Sequence, residues 1–416
     1  MKNHNRLLAL ALALAALFAA AAHAESVVEM YGTVMPFVDN AKTTGATPGA
    51  PADRPSMLAA SAYTGVNDLS RWRMTVGTTN WGFRGIEDLG PGLKAVWQLE
   101  SGFQIDQNTG PGLGARNSKL GLQGGWGEFF LGQWDTPYKS ISLAINPFRA
   151  GYIFDYTPIM GNPGMGVPAT TTQFTRIGAK PDAAFDKRVG NSLQYWTPRW
   201  AGFSGRLGWS VAEGTGPVTA GGPVVRPQIY GVALQYDVGG LSVRYGWERH
   251  EDYFGMSQLG GSAAGTLANP TSRDNANKLV AIWRIGNTRL ALAAEELRYK
   301  NSDSTAAAVT EYKRRAYYVL LEQRFGNHRL WGSYSHADDG SCKRNGPLAC
   351  TTHDLGADYW AVGWIYTFSK RTEVYVTYYR LNNKASGTYS PQPIVGASIA
   401  PGADTVASGV GMIHYF

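Results

Sequence analysis

Charge is scarce in this chain: Asp, Glu, Lys and Arg make up 17% of 416 positions, whereas soluble domains carry about a quarter. Lys and Arg number 38 against 31 acidic residues, and this small excess is spread along the chain. No basic run of the kind that binds nucleic acid is present. No stretch of about 18 apolar residues follows the first two dozen positions, which argues against a transmembrane helix. Histidine is also rare, and five remain after residue 24: His250, His328, His336, His353 and His414. None lies in a G-x-S-x-G or H-E-x-x-H arrangement, so no enzyme is expected, for a catalytic nucleophile needs a positioned base. DQNTG (106–110) begins like a calcium loop but lacks the downstream acidic ligand, and reads as an external turn.

Cysteine is nearly absent. Cys342 and Cys350 stand eight residues apart in SCKRNGPLACTTH, a spacing that suits one disulfide clipping a loop in an exported chain. A metal site there would need more ligands, and His336 and His353 are the nearby candidates. No metal and no cofactor are expected.

What the chain has in plenty is glycine, with 51 residues, and aromatics, at 12%. It opens with Lys2 and Arg6, an apolar run from Leu7 to Ala22, and Ala22-His23-Ala24. That order predicts a secretory signal over 1–24 and a mature chain over 25–416. An N-terminal membrane anchor is the alternative. Removing Lys2 and Arg6 from the 38 basic residues leaves 36 against the same 31 acidic ones.

Past Glu25 the dominant pattern has period two. Leu93, Ala95, Trp97 and Leu99 alternate with Lys94, Gln98 and Glu100; Leu241, Val243, Tyr245 and Trp247 alternate with Ser242, Arg244, Gly246 and Glu248. Such strands face an apolar medium on one side and a polar one on the other. Seven short turns (89–92, 124–127, 197–202, 237–240, 286–288, 325–327, 368–370) alternate with eight longer polar stretches (39–70, 106–115, 135–187, 213–226, 252–276, 301–311, 338–357, 383–404). Together they join sixteen strands, with tight turns at one end and long loops at the other, as in outer-membrane barrels.

A soluble sandwich also alternates, but its core favours Val, Ile and Leu. Here turn-proximal positions of the apolar face carry Trp81, Trp97, Phe203, Tyr236, Trp283, Phe325, Trp364 and Phe368, side chains that suit a membrane interface. Lipid cannot satisfy an open sheet edge, so the sheet must close. The last strand, ending at Phe416, therefore pairs with the first, VVEMYGTVMPF. Alternation puts Val410, Met412, His414 and Phe416 toward lipid and Gly411, Ile413 and Tyr415 toward the lumen.

Three segments, in order, resemble the trimeric general porins of Gram-negative β-proteobacteria: NWGFRGIEDLGPGLKAVWQLESGF, RNSKLGLQGGWGEFFLGQWDTP and RVGNSLQYWTPRWAGFSG. The resemblance is strongest over 77–137 and 188–210, and implies an all-β, sixteen-stranded antiparallel transmembrane barrel in the Gram-negative outer membrane. It further implies a homotrimer, contact with outer-membrane lipid and lipopolysaccharide, assembly by the barrel-assembly machinery with Phe416 as signal, and passive diffusion of small hydrophilic solutes. The loop after strand five, here about 135–187, would fold inward and narrow the pore. Arg188 matches the family's R-x-x-N-S arginine, and Arg116 a second family arginine.

The water-facing wall positions include Arg84, Lys94, Lys119, Arg188, Arg206 and Arg244, with Arg84 and Lys94 near the short turns. Arg116 falls on the outward parity of Leu120 and Leu122, and a bulge would be needed to bring it inside. On the inward loop Asp135, Asp155, Asp182 and Asp186 face Lys139, Arg149, Arg176, Lys180 and Lys187, which makes no acidic lip and predicts modest anion preference. Asn80 replaces the first arginine of the strand-two motif, removing one expected wall charge. A substrate-specific channel for a sugar or small organic acid is the alternative, with Tyr138, Phe148, Tyr152, Phe154 and Tyr156 as a sliding surface; these aromatics would otherwise pack the loop on the wall. A surface-structural barrel without conductance is a third reading.

Overall fold

A computed structural model describes residues 26–65, 68–106, 112–148, 154–165, 183–212, 225–257, 259–261, 270–391 and 399–416. The predicted signal 1–24, most of the DQNTG turn, and Arg149, Tyr152, Arg176, Lys180 and Asp182 lie outside the described residues.

Among the described residues the chain forms nineteen strand segments in one antiparallel sheet. The first barrel strand is split into β1 (Ser26–Val34) and β2 (Phe37–Thr44), the second into β3 (Leu69–Thr75) and β4 (Asn80–Gly90). Pro36 sits at the first break, where a residue without an N–H donor interrupts a ladder; its carbonyl still accepts from Met412. The wall continues through β5 (Leu93–Gly102), β6 (Ser118–Gly124), β7 (Gly127–Asp135), β8 (Arg188–Trp196), β9 (Phe203–Val211), β10 (Gln228–Val238) and β11 (Leu241–Glu251). It then runs through β12 (Arg273–Ile285), β13 (Thr288–Lys300), β14 (Val309–Phe325) and β15 (His328–Ala337). A short β16 (Ser341–Arg344) lengthens the external end of β14, and β17 (Ala357–Thr367), β18 (Thr372–Asn383) and β19 (Asp404–Tyr415) finish the wall. With each split strand taken once and β16 left to its loop, the barrel has sixteen strands.

The sheet closes as the alternation requires. β19 pairs with β2 from Asp404↔Thr44 to Gly411↔Phe37 and then with the end of β1 at Thr33↔Tyr415. At the seam the Gly32 and Phe416 backbones exchange two N–H···O bonds, both 3.1 Å. Val410 and Met412 are exposed while Ile413 is fully buried, so the terminal parity is as predicted.

All seven short turns fall between the strands that the sequence assigned to them. The turns at Gly286 and Gly326 hold the glycine at φ +55° and +57°, the left-handed first position that two-residue hairpins favour. Several expectations need correction; the polar stretches 252–276 and 301–311, for instance, run into β12 and β14, which begin at Arg273 and Val309. The loop beginning at 39 is strand up to Thr44, because its polar residues alternate across a wall that is wet inside: Asp39 and Thr43 are buried inward, and Lys42 is exposed. Trp81 is not near a turn; β3 and β4 make one long strand, and Trp81 pairs with Gly32 in its middle. Arg116 turns inward without a bulge in its own strand, since it precedes β6 in a bend where strand parity does not apply.

Among the described residues the buried side chains form no central core of their own. They lie on the inner wall and on the segment after β7 that packs against it; Phe148 meets Trp331 and Tyr375 edge-on, and Phe154 meets Phe37. Cys342 and Cys350 are joined by a disulfide with Cα atoms 5.6 Å apart.

Candidate functional site

The segment after β7 starts as a capped turn of helix. Thr136 accepts from the Lys139 amide (3.2 Å) and Pro137 opens helix α1 (Pro137–Ser142), the usual chemistry of a helix start. The helix lies on a track of missing side chains. A Cβ on Gly208 or Gly231 would come 2.8 or 2.9 Å from the Pro137 ring, and one on Gly246 would come 2.7 Å from Ile141. Gly208 pairs directly with Gly231, and Ala233 beside them pairs with Gly246. Small residues at one inner level of β9, β10 and β11 thus admit the helix.

A buried ion cluster holds the segment. Lys278 of β12 lies 2.7 Å from Asp186 and 3.0 Å from Glu295 of β13, and Arg314 of β14 lies 3.0 Å from Glu295. Onto this frame the Tyr138 hydroxyl and the Gly161 amide donate to Glu295 (2.6 and 2.8 Å), and the Ser142 hydroxyl donates to Asp186 (2.7 Å). Arg314 also donates to the carbonyls of Ile159 and Asn162. Within this cluster two carboxylates face two cations, so their formal charges cancel. A second anchor sits nearer the short turns. Arg289 donates to the carbonyls of Ala144 and Asn146, and the Tyr318 hydroxyl reaches that of Ile145.

Asp135 closes a bridge with Lys139 (3.0 Å) and Arg188 (3.5 Å), and Asn117 donates to it. Arg116 meets Glu100 at 2.6 Å. Lys119 pairs with Glu128 and has the rings of Phe130, Trp134 and Trp196 within 4.7–4.8 Å of its ammonium, a cation–π seat. Arg206 stacks 4.2 Å over Trp196. Arg84 forms an exposed pair with Glu29 (2.8 Å), and Lys94 lines a cavity beside Glu128 at the short turns. The loop carboxylates are not displayed on an open surface. Asp155 is buried, accepts from the Thr157 hydroxyl and amide, and is pushed up to about 6 by burial. Burial also raises Asp186, against the pull of Lys278. Asn80 turns back on the Thr78 carbonyl (2.9 Å).

The loop aromatics Tyr138, Phe148, Phe154 and Tyr156 are all buried, so they pack the segment on the wall and form no sliding surface. What sequence reasoning missed is a set of inner-wall arginines near the short turns: Arg284, Arg289, Arg324 and Arg329. With Arg206 and Arg244 they outnumber the carboxylates closest to them, Glu128, Asp237, Glu322 and Glu373. Their parity was readable, since Arg284 follows Ile282 and Arg329 precedes Trp331, both buried inward.

Comparison with known proteins gives consistent likenesses. The major outer membrane protein P.IA of Neisseria meningitidis (serogroup A) is 29% identical over 326 residues, 71% of this chain and 74% of that protein. Its P.IB counterpart from serogroup B is 29% identical over 84% of this chain and 86% of its own length. In fold, the chain resembles an anion-selective porin from Comamonas acidovorans at TM-score 0.67 and 24% identity, covering 94% of this chain and 100% of that one. A trimer form of the Vibrio cholerae outer membrane protein OmpT aligns at TM-score 0.59 and 14% identity, covering 94% and 99%. The Gram-negative porin profile matches residues 10–386, and this chain belongs to the Gram-negative porin family.

Proposed function

We propose that the barrel, in the outer membrane, is a water-filled channel for passive diffusion, narrowed by the segment 135–187 and modestly selective for small anions. The observation that carries the selectivity is the arginine excess on the inner wall near the short turns, where six guanidiniums meet four carboxylates. Selectivity in a wide pore follows the field of its lining charges. The described loop carboxylates do not offset this field, because Asp135 and Asp186 are already paired with cations and Asp155 is buried. The Comamonas protein with a similar fold is described as anion-selective, and the same preference is assigned here. Arg84, Lys94, Arg116, Lys119, Arg188 and Arg206 belong to the lining, whereas Asp155 and Asp186 act by holding the loop; Asp182 is assigned to the same loop. A sugar- or acid-specific channel is less well supported, because the described loop aromatics that would guide a solute, Tyr138, Phe148, Phe154 and Tyr156, are buried.

The working unit is a homotrimer in contact with outer-membrane lipid and lipopolysaccharide, residues 1–24 are an export signal, and Phe416 is read by the barrel-assembly machinery. The test of selectivity is the reversal potential of the reconstituted protein across a KCl gradient. Its sign is expected to give chloride a permeability a few times that of potassium. A cation-selective potential would remove the assignment.

A further inference from the structure

A cavity of about 520 Å³ lies where the inward segment passes over the inner wall near the short turns. The segment's Phe148 and its neighbours roof it, and Arg284, Arg289, Arg324 and Arg329 line the wall side, with Glu322 as the carboxylate among its described lining residues. Glu322 is buried and shared three ways, at 3.5 Å from Arg289, 3.4 Å from Arg324 and 3.8 Å from Arg329. Arg329 has a second partner, Glu373, at 3.3 Å. Arg289 spends its terminal nitrogens largely on loop carbonyls, and its Nε is buried without an acceptor. Arg284 and Arg324 are exposed to solvent. Four planar donor forks thus surround a roofed space in which one carboxylate is divided among three of them.

We propose that this cavity is a binding site for a small dianion bearing carboxylate or phosphate oxygens, held between Arg284 and Arg324. Guanidinium forks match the paired oxygens of these groups and bind them bidentately. Unlike chloride alone, a dianion would neutralise both Arg284, which has no carboxylate partner among the described residues, and Arg324, the most exposed of the three arginines that share Glu322. The inference rests on the channel reading above and extends it: an anion pauses here in transit.

The test is block of KCl current through the reconstituted full-length protein by succinate and, separately, by inorganic phosphate, at a pH where both are dianions. Concentration-dependent block is expected, weakened about tenfold or more in the double variant Arg284→Gln/Arg324→Gln, as losing charge-assisted hydrogen bonds implies. Block should persist in Lys370→Gln, which removes an exposed cation at the same end of the barrel but outside the cavity. KCl current in the double variant before any dianion is added establishes that it has folded. Block by either dianion supports the site, and the stronger blocker identifies its class. No block by either, or block indifferent to the double substitution, overturns it. A chloride-selective reversal potential without block removes the cavity's role and leaves the channel reading standing, whereas absence of any conductance removes both.

Discussion

Glu295→Ala is expected to detach the inward segment from the wall while leaving the barrel intact. Glu295 is the one group in contact with Lys278, Arg314, the Tyr138 hydroxyl and the Gly161 amide. Without it Lys278 retains Asp186, and Arg314 retains two carbonyls but no paired carboxylate, so a buried charge is left uncompensated. Breaking one side of a buried ion pair costs about 3–5 kcal/mol, because the partner's charge remains desolvated. That cost falls on the docking of the segment, since the strand ladders of β12, β13 and β14 do not depend on it. Hydrogen exchange should rise across 136–148 and 154–165 with strand protection unchanged, and single-channel current should become larger and noisier. Unchanged exchange in the segment would show that the cluster is not its anchor.

Gly32→Val is expected to damage the barrel seam. A Cβ at Gly32 would stand 2.3 Å from the Phe416 ring and 2.8 Å from the Asn80 backbone oxygen. The ring can swing toward lipid, but the carbonyl belongs to the β1–β4 ladder and cannot move without disturbing Thr33↔Asn80. Overpacking of this kind costs about 1–3 kcal/mol, here concentrated where two backbone bonds close the sheet. The folded barrel should melt earlier and refold in lower yield. Phe416→Ala in the same chain should recover part of the loss, because the two changes share one contact and will not add. Equal melting of Gly32→Val and wild type would mean that the ring is not seated on the seam.

The barrel was legible because two features are written locally. Parity survives in every strand whose outer face meets lipid, and the glycine turns mark one end. Residues 39–44 escaped because the wall there is polar inside and mixed outside, with Asn40 and Lys42 on the outer face, so the contrast that reveals a strand is lost. The lining charges were half legible. Arg188, Arg206 and Lys119 follow from parity, yet their partners Asp135, Trp196 and Glu128 depend on neighbouring strands and cannot be read from one segment alone. The glycine track beneath α1 is the plainest omission. Gly208, Gly231 and Gly246 look like ordinary small residues along their own strands, and only the register between three strands turns them into a bed for the helix. Carboxylates on the inward segment invited a role at the pore surface; Asp155 and Asp186 are instead internal fastenings, a role set by tertiary packing.

Passive diffusion through a bore of fixed width is tested most directly by the swelling of liposomes carrying the refolded protein in a series of neutral sugars of increasing size. Swelling is expected for the smallest, with a rate that falls steadily with molecular size and ignores stereochemistry. No swelling with any sugar, or rapid and saturable entry of one sugar among others of equal size, would contradict a general diffusion channel.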